Sequence, residues 1–208
     1  ERLPDTRRRL DLLTLKRRYI ESADHVICIS QSTKDDLLEL YGPEKAPTTV
    51  VHLGVDERFN PNAKRIDGFP EQYVLYVGHR GQYKDATTLM RAFASIALDF
   101  PDHTLVFAGG GPLSREERSL LQSLGVAART TQIDLPDEAM PGAYAHSTVF
   151  AFPSRFEGFG LPVLEAMACG TPAVLARSTS LPEVGGAAAR YFTPGDHEEL
   201  AEQLAVIL

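Results

Sequence analysis

Cysteine is scarce in this chain of 208 residues, with two in all. Cys28 sits in an apolar run and Cys169 at the end of a helical pattern, and neither has metal-ligand spacing. That argues against a bridge or a zinc knot and for two reduced, buried packing residues, as expected in the cytoplasm. Long apolar runs are also lacking. No stretch of about eighteen such residues occurs, which excludes a spanning helix of ordinary length. The first residue is Glu1 rather than Met, and no n-region, h-region or cleavage site follows, so the chain reads as a piece of a larger protein rather than a secreted precursor. Internal repeats and low-complexity tracts are absent.

What is there is an ordinary globular composition, 43% hydrophobic and 24% charged, enough for one large domain or one domain plus part of another. The net charge of −7 makes nucleic acid a poor partner. The N-terminus runs the other way: residues 1–18 hold seven basic side chains against three acidic ones, a net +4. An anionic membrane surface fits that segment, which would place the protein peripherally at the inner face of a membrane. A solvated helix face of mixed charge is the plainer reading and the favoured one.

Strands and helices alternate along the chain. "LLTLKRRYIESA" reads as a helix, "HVICIS" as a buried strand, "STKDDLLELYG" as a helix capped by Ser30 or Ser32 and stopped at Gly42, and "TTVVHLG" as a short strand. The stretch "VDERFNPNAKRIDGFPEQ" has neither periodicity and carries two prolines, so it reads as a linker. About six strands follow from residue 70 onward, near-continuously apolar and separated by helices, one of them "PDEAMPGAYAH" weakened by Pro141-Gly142. That pattern predicts an α/β fold with a doubly wound, parallel, Rossmann-like sheet covered on both faces. The expected division is 1–52 as the end of one domain, 53–69 as an interdomain linker and 70–208 as a complete second domain.

Ligands of open α/β sheets bind beyond the carboxyl ends of the strands, where three unusual loops fall. In "SRFEGFGLPVLEAMACGTP" a Gly-Phe-Gly turn runs into a helix opened by Leu161-Pro162 and ended by Gly170. Backbone amides and the helix dipole at such a start attract phosphate. Yet Glu157 and Glu165 flank it, with seven residues between them. Carboxylates repel phosphate but accept hydrogen bonds from vicinal hydroxyls. A ligand with a central diphosphate and hydroxyl-rich ends, a nucleotide sugar, satisfies both. The plainer reading makes Glu165 a complement to the helix dipole and Glu157 a solvated charge, and it holds for either residue taken alone. The pair at this spacing favours the ligand. In "GHRGQYKD", Arg80 and Lys84 supply two cations, with Gly78 and Gly81 allowing close backbone approach. "GGGP" lacks the P-loop lysine and the dinucleotide fingerprint, so it reads as a tight strand-to-helix turn.

Four blocks in this order, "YVGHRGQYKD", "LVFAGGGPL", "PSRFEGFGLPVLEAMACGTPAV" and "SLPEVGGAAARYFTPGD", resemble the C-terminal domain of retaining GT-B glycosyltransferases of family four (group 1). "HVICISQSTKDDLLELYG" and "VVHLGVDERFNP" resemble the end of that family's N-terminal domain and its crossing linker, so the resemblance covers nearly the whole chain. It implies transfer of a sugar from a nucleotide-diphosphate donor to a saccharide, lipid-linked or small-molecule acceptor hydroxyl, without cofactor or metal. It also implies roles. Glu165 would bind the ribose hydroxyls and Glu157 those of the transferred sugar. The amides of Gly158, Phe159, Gly160 and Leu161 would hold diphosphate and sugar. Arg80 and Lys84 would stabilise the leaving diphosphate beside Gly78, and the base would rest near Leu135. The anomeric configuration would be retained by attack on the face of the departing phosphate, with no side-chain nucleophile.

Two departures stand out. Asp85 follows Lys84 where the family commonly has Asn, and the family's N-terminal glycine-rich loop and histidine have no counterpart in these residues. Two other classes compete. A nucleotide-sugar epimerase of the same architecture would need acid/base residues at the cleft, and "EGFGLPVLEA" is not its signature. A non-catalytic nucleotide-sugar-binding module would bind donor without turnover.

Overall fold

The computed structural model describes residues 6–42 and 46–208, the side chains of 6–13 and of Gln82 excepted. The chain divides after Leu53 into two compact units. Residues 1–5 of the basic segment, and the side chains of 6–13, lie outside the described residues.

The first unit holds α1 (Thr6–Ser22), β1 (Val26–Cys28), α2 (Gln31–Tyr41) and β2 (Thr48–Val50). Ser30 caps α2 by accepting the Thr33 amide, and Gly42 ends it with φ 82°. The two strands pair in parallel with Val26 opposite Thr48. "HVICIS" is not the buried strand expected: only three residues are extended, and Ile27 is 67% exposed. A two-stranded sheet offers too few neighbours among the described residues to cover both faces.

The second unit carries β3 (Gln72–Val77), α3 (Ala86–Ile96), β4 (His103–Ala108), α4 (Arg115–Ser123), β5 (Thr130–Ile133), α5 (Met140–Ala145), β6 (Val149–Phe152), α6 (Leu161–Ala168), β7 (Ala173–Ala176), α7 (Leu181–Gly185), β8 (Arg190–Phe192) and α8 (His197–Ala205). Its six strands form one sheet in the order β5-β4-β3-β6-β7-β8, every neighbouring pair parallel. This is the doubly wound order, with its reversal between β3 and β6. The strands read as unbroken apolar runs because helices cover both faces: Val74, Leu75, Leu105, Val106, Phe150 and Val174 are all fully buried. Tyr73, buried among them, donates its hydroxyl to the Ala143 carbonyl at 2.7 Å.

Two local expectations need correction. The stretch expected as an interdomain linker over 53–69 has no helix or strand from Gly54 on, and from there it belongs to the second unit and packs along it. Phe59 is buried and meets Tyr144 edge-on at 5.9 Å, and a Cβ at Gly142 would lie 2.2 Å from the Lys64 carbonyl. The helix expected over 136–146 runs only from Met140 to Ala145. Pro141 sits in its first turn, where the missing N–H costs nothing, so Pro141 opens the helix instead of weakening it. The five-residue α7, too short to show a period, was not anticipated from the sequence.

Candidate functional site

The strand order brings the three singled-out loops together, because β3 lies between β4 and β6, and the first and third of them meet at the reversal between β3 and β6. Their carboxyl ends carry Gly78–Asp85 and Ser154–Gly160 respectively.

After β3, Gly78 takes φ 110° and the Tyr76 hydroxyl donates to the His79 carbonyl at 2.5 Å. A 3-10 turn over Gln82–Lys84 then leads to Asp85, left-handed at φ 50°. Asp and Asn tolerate that conformation better than other side chains with a Cβ, so the replacement of Asn by Asp is conformationally mild. Buried Asp85 accepts the Thr88 hydroxyl and Arg155 Nε, both at 2.8 Å.

Arg80 and Lys84, expected to act as a pair, do different work. The Arg80 guanidinium lies inside the neighbouring loops. Its Nε donates to Glu117 Oε1 at 2.9 Å, Nη1 to the Gly109 carbonyl at 3.0 Å and Nη2 to the Gly111 carbonyl at 2.7 Å. Its side chain is 4% exposed. Glu117 is anchored in turn, its other oxygen accepting the Ser114 amide in a capping box at the start of α4. Arg80 therefore fixes the Gly109–Pro112 turn. That turn is as tight as the sequence implied: a Cβ at Gly110 would stand 2.5 Å from the Gly78 carbonyl.

Lys84 faces the other way, across the reversal. Its Nζ donates to Glu157 Oε1 at 2.5 Å, and the ammonium lies 5.2 Å from the centre of the Phe152 ring. The loop that carries Glu157 is held on several sides. The Arg155 amide donates to the Tyr83 carbonyl at 2.7 Å and the Glu157 amide to Thr179 Oγ1 at 2.9 Å. Fully buried Ser180 places its hydroxyl 2.9 Å from both the Glu157 and the Phe159 carbonyls. Phe159 is buried and anchors the turn over Gly158–Leu161. Gly160, at φ 100°, delivers the chain into α6 with Pro162 in the first turn.

Glu165 is half-buried on α6, and its Oε2 accepts the Tyr144 hydroxyl at 2.7 Å. Burial raises its pKa above the ordinary carboxylate value, and the charge of Asp137 adds to this. The Tyr144 hydrogen bond and Arg58 oppose it. The Tyr144 phenol is pushed well up, by burial first and then by Glu165, so it is always the donor. Cys169, one turn further along, is a free buried thiol whose pKa burial lifts to about 11. Leu135 sits just past β5, partly buried against the core. Tyr144, Arg155, Thr179 and Ser180 were not singled out from the sequence, and Asp85 was noted only as a departure from the family's Asn, since no spacing rule links residues from 21 to 70 positions apart.

The family model for glycosyl transferases group 1 matches residues 59–208. The chain belongs to this family. A second model, Glycosyltransferase Family 4, matches residues 2–59. Among curated relatives, the chain is 33% identical over 188 residues to the GDP-mannose-dependent alpha-(1-6)-phosphatidylinositol monomannoside mannosyltransferase of Mycolicibacterium smegmatis, over 82% of this chain and 48% of that protein. It is 29% identical over 212 residues to the MMP alpha-(1->4)-mannosyltransferase of Mycolicibacterium hassiacum, over its whole length and 51% of that protein. The chain thus spans about half the length of these relatives. Sucrose-phosphate synthase from Thermosynechococcus elongatus superposes with a TM-score of 0.79 at 25% identity, over 99% of this chain and 54% of that one. Anabaena HepE in complex with UDP and glucose gives 0.78 at 21% identity, over 93% of this chain and 56% of that one. The fold is the GT-B-type α/β architecture that group 1 members share with these structures. Among the described residues no helix is long and apolar enough to cross a membrane.

Proposed function

We propose that this chain is the donor-binding part of a retaining, metal-independent glycosyltransferase. One observation carries the reading. A cation, Lys84, and a carboxylate, Glu157, meet at 2.5 Å where the strand order reverses, beside the pinned turn that opens α6. Few ligands want a cation, backbone amides at a helix start and a carboxylate on either side of that start, and a nucleotide-diphosphate sugar is one.

In this reading the base rests near Leu135 and the ribose hydroxyls donate to Glu165. The diphosphate lies against the amides of Gly158–Leu161 and the backbone of Gly78. Lys84 exchanges part of its contact with Glu157 for the leaving phosphate, and Glu157 accepts hydroxyls of the transferred sugar. The acceptor oxygen bonds to the anomeric carbon on the face from which the phosphate oxygen departs, and that oxygen takes the acceptor's proton. Lys84 stabilises the charge that develops on the leaving group. Arg80 shapes the crevice by holding the Gly109–Pro112 turn. The acceptor is a saccharide, a lipid-linked species or a small alcohol. Exposed Lys16, Arg17 and Arg18 support peripheral contact with an anionic membrane.

Titration calorimetry with UDP-glucose and GDP-mannose, after a thermal-shift screen of UDP, GDP, ADP and dTDP sugars, tests this reading. Binding is expected for at least one, weakened by about 1–3 kcal/mol in Glu165→Ala, the scale of hydrogen bonds to a charged group. Absence of binding by every nucleotide sugar would overturn it.

A further inference from the structure

The Tyr144–Glu165 contact has a geometry that a packing role does not require. The Tyr144 ring is fully buried on α5, edge-on to Phe59 at 5.9 Å and to Phe150 at 5.5 Å, each at 68°. A ring gripped on two sides cannot swing, so its oxygen is a fixed point. A phenol has one proton to donate, and this one goes to Glu165 Oε2 on the neighbouring helix. The final torsion of a glutamate is broad and soft, so without an anchor the carboxylate plane would be free to rotate.

We propose that Tyr144 is a positioning residue for nucleotide recognition: it fixes the plane of the Glu165 carboxylate, so that Oε1 is the oxygen presented to the ribose. This rests on the donor-site role given to Glu165 above. The same hydrogen bond has a second effect. Burial favours the neutral carboxyl, which would lose acceptor capacity, and the Tyr144 proton works against that. The other groups facing Glu165 are Arg58 from the segment before β3, which favours the ionised form, and Asp137 ahead of α5, which disfavours it. The Cys169 thiol, one turn along α6, stays neutral through the acid and neutral range. Removing the phenol oxygen therefore leaves a carboxylate that is less oriented and protonates at higher pH.

The test is titration calorimetry with UDP-glucose and GDP-mannose across the acid-to-neutral range, since their diphosphate diesters keep a constant charge there. In the wild type, affinity falls as pH drops through the Glu165 titration. Tyr144→Phe keeps the ring and loses the donor. Its affinity is expected to be roughly tenfold lower at neutral pH, a factor worth about 1.4 kcal/mol, with the acid-side fall displaced to higher pH. Glu165→Gln should bind weakly at every pH, and adding Tyr144→Phe to it should cost nothing further. Fluorotyrosine placed at position 144, a stronger donor of the same shape, should move the fall to lower pH, and it serves if the phenylalanine variant does not fold. A Tyr144→Phe profile that superposes on wild type, or that is weakened equally at all pH, would overturn the proposal and leave the Glu165 role standing. Wild-type affinity in Glu165→Gln, or no binding of any UDP, GDP, ADP or dTDP sugar to the wild type, would overturn both.

Discussion

Lys84 Nζ lies 2.5 Å from Glu157 Oε1, with the two side chains 18% and 13% exposed. The residues come from loops after different strands, 73 positions apart. Removing one partner of a largely buried pair leaves the other with its desolvation uncompensated, so the pair is held in place even though it contributes little net stability. Lys84→Met in the full-length enzyme is expected to lower kcat by about 10²–10³, the loss typical of one preorganised group at a developing charge. Wild-type activity should survive EDTA, because in the proposed mechanism Lys84 supplies the neutralising cation. Loss on chelation with recovery on adding magnesium or manganese would contradict this, as would a Lys84→Met variant with unchanged kcat.

Asp85 accepts Arg155 Nε at 2.8 Å while holding a left-handed backbone, and Lys84 precedes it directly. Asp85→Asn keeps a side chain suited to that conformation and an acceptor for Thr88, so a stability loss of about 1 kcal/mol or less is expected. Asp85→Ala loses both acceptors and adds left-handed strain, with an expected loss of about 2–3 kcal/mol. Chemical denaturation of the two variants reads the difference. Equal losses would show that the conformation at this position matters less than the charge.

Glu165 should trade stability for binding. Its carboxyl in the fold has a raised pKa, chiefly because burial penalises the charge. Below the unfolded value of about 4.3 both states are protonated and the group contributes nothing to the pH dependence. As pH rises from there the unfolded chain releases its proton first, so folding stability declines until the folded pKa is passed, then levels off. Glu165→Gln keeps an acceptor for the Tyr144 hydroxyl and removes the charge. The variant should therefore melt higher than wild type at neutral pH, with the gap closing towards pH 4, while its nucleotide affinity falls. A wild type as stable as the variant at neutral pH would argue that the carboxylate is well solvated.

What could be read from the sequence follows from how local each signal is. The parallel sheet was legible because its strands are near-continuous apolar runs, as at Leu105–Ala108, and a sheet covered on both faces needs little else. Gly-Phe-Gly followed by Leu161-Pro162 marked the start of α6 for the same reason: cap and turn chemistry act over a few residues. The commitments of side chains are not local. Nothing near Arg80 in the chain shows that Gly109, Gly111 and Glu117 will accept its hydrogen bonds. Nothing near Glu165 shows that its partner is Tyr144, 21 residues earlier. Ile27 reads as buried because its neighbours are apolar, and whether a strand is covered depends on strands and helices elsewhere.

The last prediction is that the 208-residue chain, purified alone, binds a nucleotide sugar but does not transfer the sugar. The groups proposed to bind the donor, Lys84, Glu157 and the Gly158–Leu161 turn, all lie in the second unit and are pinned by residues of that unit, among them Ser180, Thr179 and Asp85. Binding therefore needs no other polypeptide. Transfer does, because an acceptor hydroxyl must be held close to the anomeric carbon, and proximity and orientation account for about 7–11 kcal/mol of such a barrier. The relatives reach that chemistry with chains about twice as long. Where no acceptor is held beside the reacting carbon, water competes for it, so slow donor hydrolysis is the expected limit. Calorimetry on the chain, followed by a transfer assay with its best-binding donor and a panel of sugar, lipid and small-alcohol acceptors, separates the two steps. Turnover matching that of the full-length protein would place the acceptor-activating groups within these residues, and the division of labour argued from Lys84 and Glu157 would fail.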